Sequence, residues 1–147
     1  VERYRLLNEP SQAQSICEDI LRVDPANQDA LVMLLLAITD QFGDSGSESD
    51  ARQILPRLHS EYHRAYYAGI ICERSARAVL RSAIPGSFST AYESLEQAMR
   101  WFEKAEAVRP PGNDDSILRW NSCARTLMRS PLLQPRGEER YQEVLGE

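Results

Sequence analysis

The sequence has almost no lysine and no excess of basic charge. Of the 17 lysine and arginine residues in the 147-residue chain, only Lys104 is a lysine. The 22 acidic residues outnumber the basic ones, so the formal net charge is −5. A protein that binds nucleic acid through its phosphates usually carries a basic patch or a high isoelectric point. We therefore predict that this chain does not bind nucleic acid.

Cysteines and long apolar runs are also scarce. The three cysteines, Cys17, Cys72 and Cys123, are odd in number, widely spaced and embedded in apolar helical patterns. Such cysteines are typical of reduced core thiols in an intracellular protein, and we predict a cytoplasmic location. The longest apolar stretch, residues 30–38, is about half of the ~18 residues that a membrane span needs. We predict no membrane insertion.

The usual signatures of catalysis and metal binding are missing. No glycine-rich loop follows a strand, and no nucleophile stands in an elbow motif. His59 and His63 can share a helix face, but a metal site needs about three or four converging ligands. Cys123 lies near Arg119 and Arg125, although its apolar setting favours packing over reactivity. We predict no catalytic residue, no metal and no cofactor, and that the chain is not an enzyme.

What the sequence does contain is helical periodicity along nearly its whole length. Pro10, Pro25, Pro110 and the loop at 43–50 divide it into segments, with Ser49 or Asp50 as the expected cap after that loop. Pro56 should kink one segment or divide it. A linker is expected at 131–137. The predicted helices span about 1–8 (its end only), 10–23, 28–42, 51–59, 61–81, 88–108, 114–129 and 138–145.

One spacing occurs twice. Ala13-x3-Cys17-x2-Ile20-x4-Pro25 matches Ala98-x3-Phe102-x2-Ala105-x4-Pro110. In each, a small residue would let two helices approach closely, and a larger residue one turn later would fill the groove beside it. The proline then ends the hairpin.

This pattern resembles the second helix of a tetratricopeptide repeat, and Trp120 and Tyr4 stand where the family has a first-helix aromatic. The two prolines lie about 85 residues apart, however, where two 34-residue repeats would give about 68. Cysteine replaces the usual large residue at Cys17. The resemblance implies an all-α fold of antiparallel helical hairpins. These would stack as a short right-handed α-solenoid of about three divergent repeats and about seven helices, over residues 1–130.

The resemblance also implies a function. In such arrays one face of each first helix lines a concave groove, so we expect a scaffold or adaptor that binds a peptide or helix of a partner protein. Arginines at one end suggest acidic groups on the partner, and a homo-oligomer is a second option. The predicted partner-binding residues are Val32, Met33, Leu36, Tyr66, Ile70, Arg74, Asn121, Arg125 and Arg129.

An alternative stays open for the apolar residues of this groove. Val32, Met33 and Leu36 could instead pack against the chain's own C-terminal segment. The lysine and asparagine with which the family's chaperone-binding members hold a terminal carboxylate are replaced here by Val32 and Leu36, so that function is not implied.

The alternative function from another class is that of an α-helical ligand-binding or enzymatic bundle. Its closed pocket would be lined by Tyr62, Tyr66, His59, His63 and Trp120. A pocket with convergent titratable groups would favour this alternative, whereas an open groove would favour the scaffold.

Overall fold

The computed structural model of the chain describes residues 9–82, 84–130 and 133. Within them the protein is all-α, as predicted. The predicted helices at 1–8 (with Tyr4) and 138–145, and most of the predicted linker, lie outside the described residues. The helices, in chain order, are α1 (Pro10–Val23), α2 (Gln28–Asp40), α3 (Glu48–Arg52), a 3₁₀ turn (Leu55–Arg57), α4 (Glu61–Ser82), α5 (Ser87–Ala107) and α6 (Asp115–Arg129).

The first hairpin follows the predicted pattern. Proline at the first position of α1 needs no amide partner there, and its fixed φ suits a helix start. Ala13, Cys17 and Leu21 recur at intervals of four residues and are buried, which leaves the opposite face to solvent. The helix ends before Pro25, and the side chain of Asn27 then accepts a hydrogen bond of 3.0 Å from the amide of Ala30 to cap α2.

Helix α2 is buried on most of its surface. Eight of its 13 residues are inaccessible, including Leu31, Leu34 and Leu35. Its apolar residues do not form a single stripe, which is the pattern of a helix covered on several sides. This confirms the burial expected from its sequence, although the helix ends at Asp40, two residues earlier than predicted.

The segment predicted as one helix at 51–59 is two shorter pieces. Helix α3 begins at Glu48, because the side chain of Ser47 caps it by accepting a 3.3 Å hydrogen bond from the amide of Asp50. The prediction that Ser49 or Asp50 is the cap was therefore wrong. Pro56 lacks an amide hydrogen and clashes with a preceding helical turn, so the chain continues as a 3₁₀ turn.

The helices pair as antiparallel hairpins: α1 with α2, α4 with α5, and α5 with α6. The α4–α5 hairpin is the longest and has the most extensive contact. Its turn passes through Gly86, whose φ of 84° is easily reached only without a side chain. None of the helices in the described ranges is long and apolar enough to cross a membrane.

The buried hydrophobic residues form two large clusters. One joins α1, α2, α3 and the 3₁₀ turn, and Ile71 of α4 belongs to it. The other joins α4, α5 and α6. Leu36 and Tyr67 pack against both clusters, so they connect the two halves of the molecule. Leu133 is buried in the second cluster, which shows that the chain packs against the helices at that point of the predicted linker.

Candidate functional site

The seam between α4 and α6 holds a buried carboxylate. The side chain of Glu73 on α4 is only 1% exposed, and two arginines meet it. Nη2 of Arg77, one turn along α4, donates to Oε2 of Glu73 at 2.9 Å. Nη1 of Arg119 on α6 lies 3.7 Å from Oε1. The two arginine side chains keep 45% and 43% of their surface exposed, so each guanidinium lies between the carboxylate and solvent.

Helical geometry explains why a glutamate is buried here. Glu73 lies three residues after Ile70 and three before Ala76, so it shares the apolar face of α4 with both. Taking an unpaired carboxylate out of water costs several kcal/mol. A cost of that size is comparable to the whole free energy of unfolding of a small domain. Arg77 and Arg119 offset this cost by supplying opposite charge on the solvent side.

The thiol of Cys123 completes the cluster from α6. Burial, together with the nearby Glu73 carboxylate that would repel a thiolate, raises the pKa of Cys123 to about 12. Arg77 and Arg119 act in the opposite direction but do not prevail. The thiol is therefore protonated at neutral pH, which argues against a nucleophilic role for Cys123.

A second bridge joins α4 to α2. Arg74 forms an ion pair with Asp40 at the end of α2, and its Nη1 donates to the hydroxyl of Thr39 at 3.1 Å. Together with the Glu73–Arg119 contact, this bridge connects α4 by side chains to both α2 and α6.

Charge is unevenly distributed among the helices. From Glu73 to the end of α4, and along the whole of α6, six arginines accompany only two carboxylates, Glu73 and Asp115. The whole chain carries a net charge of −5, so these two helices differ in sign from the rest of the protein. The arginines are Arg74, Arg77, Arg81, Arg119, Arg125 and Arg129.

The structure corrects part of the predicted groove. Met33 and Ile70 are 8% and 1% exposed, so they belong to the core and cannot offer a surface to a partner. Helical periodicity assigned them to a face, but the approach of neighbouring helices and of Tyr66 and Tyr67 covers that face. Val32 and Leu36 are partly buried and pack on the core from α2.

The three residues predicted on α6 lie apart from the seam. Asn121, Arg125 and Arg129 are exposed. Asn121 and Arg125 are each two positions from Cys123, or about 200° around the helix, so they point away from the α4 side that Cys123 faces. Tyr66 and Arg74 thus lie on α4, whereas Asn121 and Arg125 are on the side of α6 that faces away from it.

The residues predicted for a closed pocket have different surroundings. Tyr62 is buried and stacks on Tyr66, with 5.6 Å between ring centroids. His63 lies 5.8 Å from Tyr62, whereas His59 is exposed in the loop before α4. The indole nitrogen of Trp120 donates to Glu103 at 3.0 Å. Among the described residues, no group of three or more histidine, cysteine or acidic side chains is placed to hold a metal ion.

Sequence reasoning missed Glu73, Arg77 and Arg119 as a group. A signal was present, because a glutamate stands in the apolar register of Gly69, Ile70 and Ala76. A charged residue on the buried face of a helix indicates a partner of opposite charge. The identity of the partner on α6 depends on how the helices cross, which the register does not contain.

Comparison with known proteins adds no relative: no family model, curated protein or solved structure matches this chain.

Proposed function

We propose that this chain is a protein-binding scaffold of stacked helical hairpins, similar in build to a short tetratricopeptide array and forming a right-handed α-solenoid. Its partner would be a peptide or helix that lies along the face formed by α2, α4 and α6. Catalysis has no part in this proposal.

The observation that carries the proposal is that side chains connect α4 to both α2 and α6. Arg74 reaches from α4 to Asp40 of α2, and Arg119 reaches from α6 to Glu73 of α4. In a stacked hairpin array the first helix of each hairpin neighbours the first helix of the next, and together they form one continuous surface. Such surfaces bind extended or helical peptides.

Two further observations support the proposal. Ala98 and Phe102 of α5 are fully buried, as the small and large positions of a close hairpin should be. The aromatic residues of α4 pack against each other and against Phe102, which leaves little room for a substrate pocket at that point. The free, buried thiols of Cys17, Cys72 and Cys123 suit an intracellular partner.

Site-specific crosslinking tests the proposal. A photo-reactive amino acid is placed at Leu36 on α2 or, in the control, at the exposed Gln97 on α5. Both proteins are irradiated in extract of the native cell, and the crosslinked species are identified by mass spectrometry. We expect a discrete adduct from Leu36 and none from Gln97. The same adducts from both positions, or adducts from Gln97 alone, would contradict the assignment of the face.

A further inference from the structure

We propose that Arg77 and Arg119 form an acid-recognition site on this face, that Glu73 holds them in position, and that the partner segment carries aspartate or glutamate side chains. This inference rests on the proposed scaffold function and names the chemistry of its partner. Arg77 and Arg119 would contact the ligand, whereas Glu73 would act only through them.

The geometry leaves donors free for a ligand. Each guanidinium has five N–H donors, and a carboxylate can accept from both of its oxygens. Arg77 uses one nitrogen to reach Oε2 of Glu73 at 2.9 Å, whereas Arg119 approaches Oε1 at 3.7 Å and also hydrogen-bonds Tyr66. Because nearly half of each arginine side chain stays exposed, the outward N–H groups of both can donate to one further acidic group.

The shared anchor also lowers the entropic cost of binding. A free arginine loses rotamer freedom when it is fixed. Here Arg77 comes from α4 and Arg119 from α6, and both are already restrained by the same buried oxygen pair. A ligand that meets two pre-positioned guanidiniums pays less of that cost.

Charge complementarity selects an acidic occupant. The protein is acidic as a whole, yet the second half of α4 and α6 together carry six arginines and only two carboxylates. The negative charge of Glu73 offsets only one of the two positive charges of Arg77 and Arg119. The three side chains together therefore keep a net positive charge. An acidic segment would be attracted to this seam and repelled by the rest of the surface.

A substitution at Glu73 separates positioning from charge alone. Glu73→Gln makes the seam more positive while removing the anchor. If the arginines acted only as diffuse charges, an acidic ligand would bind the variant more tightly. If Glu73 positions them, the same ligand binds more weakly in spite of the added positive charge.

The probes are a fluorescein-labelled amphipathic peptide with glutamates on its polar face and the same peptide with glutamine at each of those positions. Binding to the full chain is measured by fluorescence anisotropy. We expect the acidic peptide to bind the unmodified protein about tenfold more tightly than its glutamine version. We expect Glu73→Gln to remove most of that preference. Equal affinity of the two peptides, or tighter binding of the acidic peptide to Glu73→Gln, would overturn the inference.

The chain contains a matched control pair. Glu96 and Arg100 on α5 have the same four-residue spacing, and Nη2 of Arg100 lies 2.5 Å from Oε1 of Glu96. Both side chains are more exposed than Glu73, at 42% and 68%. Glu96→Gln and Arg100→Gln should leave the peptide preference unchanged.

Arg77→Gln and Arg119→Gln should each weaken acidic-peptide binding about tenfold. Equal effects at both pairs would indicate general electrostatics and overturn the inference.

Arg77→Lys and Arg119→Lys keep the test decisive if Glu73→Gln fails to fold. Both changes conserve charge but lose the planar fork, so the acidic preference should fall several-fold. An unchanged preference in both lysine variants would overturn the inference. The proposed scaffold function is judged separately, because the crosslinks from Leu36 do not depend on whether the partner is acidic.

Discussion

Gly69 of α4 lies directly against the ring of Phe102 of α5. A Cβ atom built at Gly69 would stand 2.5 Å from Cε1 of Phe102, closer than side-chain carbons approach in folded proteins. The glycine therefore permits the close contact of the longest hairpin. Phe102 is fully buried and reaches Tyr66 of α4 as well, with 5.7 Å between ring centroids.

Gly69→Ala should destabilise the protein even though alanine favours helices by about 1 kcal/mol over glycine. We expect a net loss of about 1–3 kcal/mol in the free energy of unfolding, since Phe102 or the α4–α5 spacing must shift. Chemical denaturation measures the change. In the double variant with Phe102→Leu, the cost of adding the Cβ should be smaller than in the parent protein. An additive double mutant would contradict the proposed contact.

Ala98→Leu should also destabilise by overpacking, by about 1–3 kcal/mol, because Ala98 is fully buried on α5. Ala107, at the end of the same helix, is exposed and provides the matched control. Ala107→Leu should change the free energy of unfolding by less than about 0.5 kcal/mol. Thermal and denaturant melts of both variants check the prediction, and equal tolerance at the two positions would show that the hairpin register is wrong.

Alkaline pH should destabilise the protein through Cys123. The pKa of its thiol is raised by burial from 9.0 to about 12, so the folded state holds this proton more tightly than the unfolded state. The resulting stabilisation is complete below about pH 9 and is lost as the pH rises from 9 towards 12, at up to about 1.4 kcal/mol per pH unit.

Cys123→Ala removes this contribution. The variant will be less stable at neutral pH because it leaves a small cavity, but its free energy of unfolding should fall less steeply above pH 9. Burial also raises the pKa of Tyr62, Cys17 and Cys72, so the variant keeps a residual slope. Parallel pH curves for the two proteins, measured by urea denaturation, would contradict the role assigned to Cys123.

Arg125 and Arg129 should be dispensable for folding. Both are exposed on α6, and Arg125 points away from the α4 seam. Replacing both with glutamate should cost less than about 1 kcal/mol, most of it from placing negative charge at the C-terminal end of a helix. Calorimetry of the double variant measures this. A large loss of stability would mean that these arginines hold the helices together.

The same double variant also tests partner binding. If the predicted involvement of Arg125 and Arg129 is correct, it should weaken an acidic partner, and added salt should reduce the difference. If only the Arg77–Arg119 pair recognises the acid, the double variant should bind nearly as the parent protein does. Anisotropy titrations at two salt concentrations distinguish these results.

Helix positions could be predicted because helix formation depends on near neighbours. Pro25 and Pro110 follow helix ends, and the spacing of Ala13 and Cys17 identified the buried face of α1. Ala98 and Phe102 were assigned to the inside for the same reason. Predictions that depended on which helix would cover a given face were less accurate, as Met33 and Ile70 show.

The sequence by itself determined that the chain forms helices, where most of them end, and which residues of α1 and α5 face inward, because these follow from a local period of 3.6 residues and from proline. Only the tertiary structure decided that Arg77 and Arg119 meet at Glu73, and that Asn121 and Arg125 lie on the other side of α6. Glu73 and Arg119 are distant in sequence, and their contact depends on how α4 and α6 are positioned relative to each other. That position is determined by packing at contacts such as Gly69 with Phe102, which sequence periodicity does not specify.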